Sequence, residues 1–318
     1  MEKMKVFVAD SIAKEGIAEF GKHPEIELVV KTGLPPEQLA SELGASVGLV
    51  VRSATQATKE IINAGRALKV IGRAGAGVDN IDVTAASERG IVVLNTPGGN
   101  AEAAGELAVA MMLALSRELT RADASMKAGT WDKKSFSGCE LLGKTLGLIG
   151  IGNVGSIVGA RAIGLGMKVM AYDPFVNAEK TKSLGFVPAG FEEVIRASDF
   201  VSVHAPKTNE TKGILNAQAF SKMKKGVYII NCARGGIVVE KDLLAALDSG
   251  AVKGAGVDVY EKEPPEDWSL ARHPRVIATP HIGASTSEAQ VNVSVMIARQ
   301  IAAYLIKGDV INAVNGAK

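Results

Sequence analysis

Cysteine, aromatic side chains and an excess of either charge are all scarce in this 318-residue chain. Its two cysteines, Cys139 and Cys232, lie far apart and supply neither a disulfide framework nor a zinc knuckle. No metal site is expected. Two Trp, four Tyr and eight Phe are too few to build base-stacking platforms. The formal net charge is +2 with no dense basic tract, so the footprint of a nucleic-acid binder is missing. No run approaches the ~18 apolar residues that would span a bilayer, and the longest, at 107–115, is too short. The first ten residues carry an acid where a secretory apolar region would begin, so a cytoplasmic protein is expected. Proline is sparse as well, 11 residues against 35 glycines. What remains, 47% hydrophobic and 22% charged, is the balance of a folded chain. Its length suits two domains.

Short apolar, β-branched runs alternate with helical patterns from end to end. The expected strands are 5–9, 27–30, 48–51, 70–73 and 91–94, separated by helix-like stretches such as 35–43 and 59–64. Thr96-Pro97-Gly98-Gly99-Asn100 breaks that rhythm, and Asn100 is placed to cap a long helix to about Glu118. Further strands are expected at 145–149, 168–172, 200–204, 227–232, 255–259 and 276–279, with a last helix over 286–305. Such alternation predicts an α/β chain of two doubly wound parallel-sheet domains with a cleft between them.

The glycines concentrate where chemistry would be. A strand-like Thr145-Leu146-Gly147-Leu148-Ile149 runs into Gly150-Ile151-Gly152-Asn153-Val154-Gly155 and then a helical pattern. In a dinucleotide-binding turn Gly150 would make the tight bend, Gly152 would admit a pyrophosphate to the backbone, and Gly155 would let helix and strand pack closely. Asp173, after the next strand and about 20 residues on, is placed to accept from an adenosine ribose. It would repel a 2′-phosphate, and Pro174-Phe175 brings no arginine to offset it, so NAD is favoured over NADP. By contrast Gly138-Cys139-Glu140-Leu141-Leu142-Gly143-Lys144-Thr145 fits the P-loop pattern by letter but leads into a strand rather than a helix. It is expected to be an ordinary loop.

Three later strand ends carry ionisable groups. Arg234 follows one in Asn231-Cys232-Ala233-Arg234-Gly235-Gly236, Glu261-Lys262-Glu263-Pro264-Pro265 follows another, and Thr279-Pro280-His281-Ile282-Gly283-Ala284 a third. Open α/β sheets bind ligands at the carboxyl ends of their strands. There an arginine can fork onto a carboxylate or carbonyl oxygen. An imidazole held by a neighbouring carboxylate can pass a proton near neutral pH. With a nicotinamide these are the parts for hydride transfer to a 2-keto acid. His204 reads as a wall of the adenine pocket, and His23 and His273 as surface loop residues.

On these motifs, with Gly72-Arg73-Ala74-Gly75-Ala76-Gly77-Val78-Asp79-Asn80-Ile81-Asp82 and Pro280-His281-Ile282-Gly283-Ala284-Ser285-Thr286, nearly the whole chain resembles the D-isomer-specific 2-hydroxyacid dehydrogenase family. The resemblance implies a catalytic trio of Arg234, Glu263 and His281 and a substrate carboxylate held by backbone N–H groups of Gly75, Ala76, Gly77 and Val78, with Asn100 on the substrate side. It also implies NAD contacts from Ala76, the Gly150–Gly155 turn with Asn153 and Val154, Asp173, Ala205, Cys232, Ala233, Arg234, Asp258, His281, Ile282, Gly283 and Ala284. Residues 1–97 with 286–318 would form the substrate domain and 98–285 the NAD domain, closing about hinges near Pro97 and Ala284. The long helix from Asn100 and the arm after it resemble a dimer-forming segment, so a homodimer is expected. Arg52, with Lys133 and Lys134 as further candidates, would bind a phosphate on the acid. Larger members carry a C-terminal regulatory region, whereas this sequence stops at Lys318, which puts feedback through such a region in doubt. Two alternatives stand beside a phosphorylated 2-hydroxy acid substrate. One is a glyoxylate or hydroxypyruvate reductase, which needs no phosphate-binding cations; the other is an NAD(H)-sensing, corepressor-like binding protein on the same fold.

Overall fold

Strand begets helix throughout the chain because β-branched apolar runs end in glycine or polar turns that free the next segment to wind. The computed structural model describes residues 3–316 and divides them into two compact units, 3–101 with 284–316, and 102–283. In the first, β1 (Met4–Val8), α1 (Lys14–Phe20), β2 (Ile26–Val30), α2 (Pro36–Leu43), β3 (Gly48–Val51), α3 (Lys59–Ala64), β4 (Val70–Arg73), α4 (Val83–Glu88) and β5 (Val92–Leu94) follow in turn. The strands are parallel in the order β2-β1-β3-β4-β5, the flavodoxin-like winding.

The second unit contains nearly all of α5 (Ala101–Ser116), then α6 (Leu119–Lys127), β6 (Thr145–Ile149), α7 (Asn153–Gly164), β7 (Lys168–Tyr172), α8 (Ala178–Ser183), the two-residue β8 (Val187–Pro188) and α9 (Phe191–Ala197). It continues through β9 (Phe200–Val203), α10 (Ala217–Lys222), β10 (Val227–Asn231), α11 (Glu240–Asp248), β11 (Val252–Val257), α12 (Ser269–Arg272) and β12 (Val276–Ala278). Seven parallel strands stand in the order β12-β11-β10-β9-β6-β7-β8, the dinucleotide-binding winding with one strand added. Apolar clusters cover both faces of this sheet, one around Ile229 and Leu247, the other around Leu148 and Val158.

The chain then returns to the first unit as α13 (Ser287–Lys307), capped by Thr286, whose hydroxyl accepts from the Ala289 amide. This helix is long and apolar enough to cross a membrane by length and composition alone, unlike any run the sequence suggested. Its apolar face is spent on the core instead. Ile297 and Ile301 are fully buried on β4, where Gly72 offers no Cβ and lets the helix come close. Each such side chain contributes roughly 1.5–3 kcal/mol relative to exposure. On its other flank α13 packs on α1: a Cβ at Gly16 would lie 2.7 Å from the Ser294 Cβ, and the Ser294 hydroxyl accepts from the Ala13 amide.

The long helix expected to reach Glu118 ends at Ser116. Glu118 takes φ 51°, which no continuous helix permits, and α6 starts anew at Leu119 with none of its residues buried. The P-loop look-alike enters β6 directly and opens no helix. His273 departs from the expected surface residue: its side chain is 10% exposed, with Nε2 3.5 Å from Asp248.

Candidate active site

β6 is apolar and buried up to Ile149, and there the backbone turns on glycine. Gly150 has φ +90°, and a Cβ on it would lie 2.8 Å from the His204 carbonyl group at the end of β9. A Cβ on Gly155 would lie 2.2 Å from the Gly150 oxygen, so any side chain would push α7 away from β6. Gly152 differs from both, with nothing within 4 Å of where its Cβ would stand. Among the described residues the amides of Gly152, Asn153 and Val154 donate to no protein acceptor, and Gly152 and Asn153 are exposed. Open amides at the start of a twelve-residue helix favour an anion.

Asp173, just past β7, closes this loop from below. Its Oδ2 accepts from the Ile151 amide at 2.9 Å and its Oδ1 from the Phe175 amide at 2.9 Å. An ionised carboxylate has about four acceptor positions, so acceptor capacity is left for ribose hydroxyls. The loop and this acid fit a dinucleotide's pyrophosphate and ribose. Ala205 follows the same β9 end and is half-buried. His204 beside it donates or accepts at Nε2 with the Ser202 hydroxyl, 2.8 Å away, while Nδ1 is buried without a partner. Burial pulls its pKa down to about 4, which keeps the ring neutral and unsuited to giving up a proton near neutral pH.

At the neighbouring strand ends the structure unites two residues of the expected trio directly. His281 Nδ1 lies 2.6 Å from Glu263 Oε2, and Glu263 Oε1 accepts from the Tyr260 amide at 3.1 Å. The carboxyl is subject to opposing influences. Burial raises its pKa, but the His281 bond, the Tyr260 amide and the charges of His281 and Arg234 together leave it below its ordinary value. Arg234 therefore stands electrostatically close to the pair, and its Nη1 also donates to the Ala233 carbonyl at 2.7 Å. Asn231 shapes that turn, accepting from the Ala233 amide and donating to the Arg234 carbonyl. A cavity of about 430 Å³ with Pro264, Pro265, Trp268 and Pro280 in its walls adjoins Glu263 and His281 and gives one side of the pair an apolar lining.

His281 sits at φ 53°, a strained conformation for a non-glycine residue, and Asp258 holds it there. The Asp258 side chain is fully buried. Its Oδ1 accepts from the Thr279 hydroxyl and the Ile282 amide, its Oδ2 from the Gly283 amide, and its own carbonyl accepts from the His281 amide at 2.8 Å. Cys232 is buried with its sulfur 3.6 Å from that of Met111, and burial pushes the thiol pKa up, so it is no nucleophile. Lys133 and Lys134 are exposed on the segment after α6, which also carries the exposed Trp131.

In the first unit the turn after β4 presents a second set of open amides. Ala76, Gly77 and Val78 donate to no protein acceptor among the described residues, and Ala76 is exposed. Arg52 follows β3, with Nη1 donating to the Ser11 carbonyl at 2.9 Å. Asn100 is half-buried just ahead of α5, and Ala284 is half-buried at the start of the returning segment. No group of three or more His, Cys, Asp or Glu among the described residues could hold a metal ion.

Residues 109–283 match the family model described as D-isomer specific 2-hydroxyacid dehydrogenase, NAD binding domain. The chain belongs to the D-isomer specific 2-hydroxyacid dehydrogenase family. Its second unit is the NAD-binding domain of that family. Among the relatives is a D-3-phosphoglycerate dehydrogenase of Archaeoglobus fulgidus, 48% identical over 98% of this chain and 59% of its own length. The chain thus spans about three-fifths of the length of such curated relatives. A solved NAD⁺-bound 3-phosphoglycerate dehydrogenase from Entamoeba histolytica superposes with a TM-score of 0.83 at 32% identity, over 99% of both chains. A glyoxylate reductase from Paecilomyes thermophila gives 0.90 at 28% identity over 100% of both.

In this member of the family one residue of the candidate site escapes the sequence reading. A Cβ on Gly75 would lie 1.4 Å from Arg73 Nη1, so the Arg73 guanidinium lies across the glycine backbone at the head of the open amides. The signal was available, since Arg73 is the cation inside the glycine-rich run Gly72-Arg73-Ala74-Gly75.

Proposed function

We propose that this dehydrogenase interconverts D-3-phosphoglycerate and 3-phosphohydroxypyruvate with NAD, the first step of serine biosynthesis, in the cytoplasm. The observation that carries the reading is the 2.6 Å contact of His281 with Glu263 in the unit that also holds the dinucleotide turn. NAD, when bound, supplies the acceptor or donor of a hydride. The open amides from Gly152 to Val154 would take its pyrophosphate, Asp173 its ribose, and the backbone at Ala205, Cys232, Ala233, Ile282 and Gly283 would border the rest. Ala76 and Ala284, in the first unit, are further proposed contacts.

Because Nδ1 of His281 is engaged by Glu263, Nε2 is the nitrogen left to give a proton to the keto oxygen, or to take one from the hydroxyl in the reverse direction. Glu263, held below its ordinary pKa, stays anionic and fixes the ring. Arg234 polarises the carbonyl and grips the carboxylate. Asp258, enclosed by its own loop, acts by holding His281 in place. The open amides of Ala76, Gly77 and Val78 bind the substrate carboxylate, whereas the Gly75 amide, expected to join them, is taken up by the Arg73 carbonyl at 2.9 Å. Asn100 stands on the substrate side, and Arg52, Arg73, Lys133 and Lys134 are the proposed cations for the phosphate. The exposed Leu119, Met126 and Trp131 on α6 and the following arm support a homodimer built on that segment.

The test is a set of initial rates with phosphohydroxypyruvate, hydroxypyruvate and glyoxylate, each with NADH and NADPH. The proposal expects the highest kcat/KM with NADH and the phosphorylated acid, and loss of that preference in Arg52→Ala. Faster turnover of glyoxylate would make the protein a glyoxylate reductase, and no oxidation of either cofactor would make it a binding protein.

A further inference from the structure

The edge of the first unit's sheet is connected to the substrate loop through one side chain. β5 is an edge strand, which would leave a row of unpaired amides and carbonyls. The segment after α13 covers it. The Val314 amide donates to the Val93 carbonyl at 2.9 Å, the Asn95 amide to the Asn312 carbonyl at 3.3 Å, and Leu94 bridges Ala313 in antiparallel fashion. Asn315 clamps the arrangement: its Oδ1 accepts from the Val93 amide at 2.8 Å, and its Nδ2 donates to the Ile91 carbonyl at 2.8 Å and the Ser87 hydroxyl at 3.1 Å.

Asn95, held by its backbone on this brace, turns its side chain the other way. Its Nδ2 donates to the Ala76 carbonyl at 2.6 Å, and the adjacent Thr96 amide donates to the Gly75 carbonyl at 3.0 Å. A trans peptide is planar, so its C=O and the following N–H point in opposite directions. Gripping the Gly75 oxygen therefore aims the Ala76 N–H away from β5, and gripping the Ala76 oxygen does the same for the Gly77 N–H. These are two of the open amides.

We infer that Asn95 is a positioning residue that pre-orients the Ala76 and Gly77 amides for a carboxylate, and that residues 312–315 are the brace that keeps Asn95 in register. The inference rests on the proposed reading that this loop binds the substrate carboxylate. It gives the C-terminal segment a task in substrate affinity although none of its residues need touch substrate.

The test uses the full-length chain with Asn95→Asp, which keeps the shape but removes the donor, and Asn315→Ala, which loosens the brace without touching the loop. Glu19→Gln serves as a control, since it weakens the α1–α13 contact elsewhere in the same unit. Loss of one positioned hydrogen bond should raise KM for 3-phosphohydroxypyruvate roughly tenfold in Asn95→Asp. Asn315→Ala should give a smaller rise of the same kind. In both, kcat should stay within about twofold of wild type and the NADH Kd should not move. Amide exchange at Asn95 and Thr96 should quicken in both variants but not in Glu19→Gln. Unchanged KM and exchange in Asn95→Asp, or an equal rise of KM in Glu19→Gln, overturns the inference. If the wild type does not turn over the keto acid, the proposed function fails instead, and the exchange measurement still decides whether the brace holds the loop.

Discussion

The two units are wound by the same rule but use their switch points in opposite ways. In the first, the strand order reverses between β1 and β3, and the Asp10 side chain fills the crevice between their ends. Its Oδ2 accepts from the Arg52 amide at 2.5 Å and the Thr55 amide at 3.1 Å, and its Oδ1 from the Thr55 hydroxyl at 2.6 Å. In the second, the reversal lies between β6 and β9, where Gly150 makes a turn that admits no side chain and Gly152 stands where one could have been. A switch point is a crevice by topology. Whether it is a ligand site depends on what the first residues past the strands bring into it. A buried carboxylate satisfied by three protein donors closes one, and glycine leaves amides open in the other.

The sharpest way to break this contrast is through the glycines. Gly155→Ala forces a methyl within 2.2 Å of the Gly150 oxygen and should destabilise the second unit by about 3 kcal/mol. Gly152→Ala meets nothing within 4 Å, so its Tm should match wild type while NADH affinity falls roughly tenfold, because the methyl occupies the phosphate approach. Thermal melts and NADH titrations separate the two. Equal loss of stability in both variants would mean that the loop is merely a tight turn.

Next comes the plug in the first unit. Asp10→Ala strands two amides and a hydroxyl in a buried place and should cost about 2–3 kcal/mol, seen as a lower denaturation midpoint with an unchanged NADH Kd. A weakened NADH affinity would show that the two crevices are not independent in function.

The smallest effect separates the units by acid. His204, in the second, has its pKa lowered from 6.5 to about 4, so the unfolded chain binds more protons between those values and stability falls as pH drops through that window. Glu19, in the first, is lowered from 4.5 to about 2 by its bonds to Arg299 and Lys22, so its contribution is full above 4.5 and is lost as pH falls toward 2. Melts across pH should show the upper limb vanish in His204→Gln and the lower limb flatten in Glu19→Gln. A pH dependence unmoved by either change would remove these two groups from the acid limb.

Much of the frame is legible in the sequence. The strands at 48–51, 70–73, 145–149 and 168–172 fall where β-branched runs bounded by glycine or polar residues predict them. Side-chain reach was not legible. Asp10 sits in an ordinary strand end and only the register of β1 on β3 brings it to Thr55. Asn95 falls between an expected strand and the breaker cluster that starts at Thr96, and its bond to Ala76 depends on β5 lying beside β4. The break at Glu118 hangs on one backbone angle in a helix-favouring stretch, which periodicity does not register. The two-residue β8 is too short to leave a pattern. His281 and Glu263 were named by family resemblance, but their contact is a product of the loop that Asp258 ties down.

The central claim, acid–base work by His281 on a D-2-hydroxy acid, is tested most directly by following NAD reduction with D- and L-3-phosphoglycerate in wild type and His281→Ala. The wild type should reduce NAD with the D-isomer alone, and the variant should lose roughly 10²–10⁴-fold in kcat with its NAD affinity intact. Turnover of the D-isomer within a few-fold of wild type in His281→Ala would contradict the account.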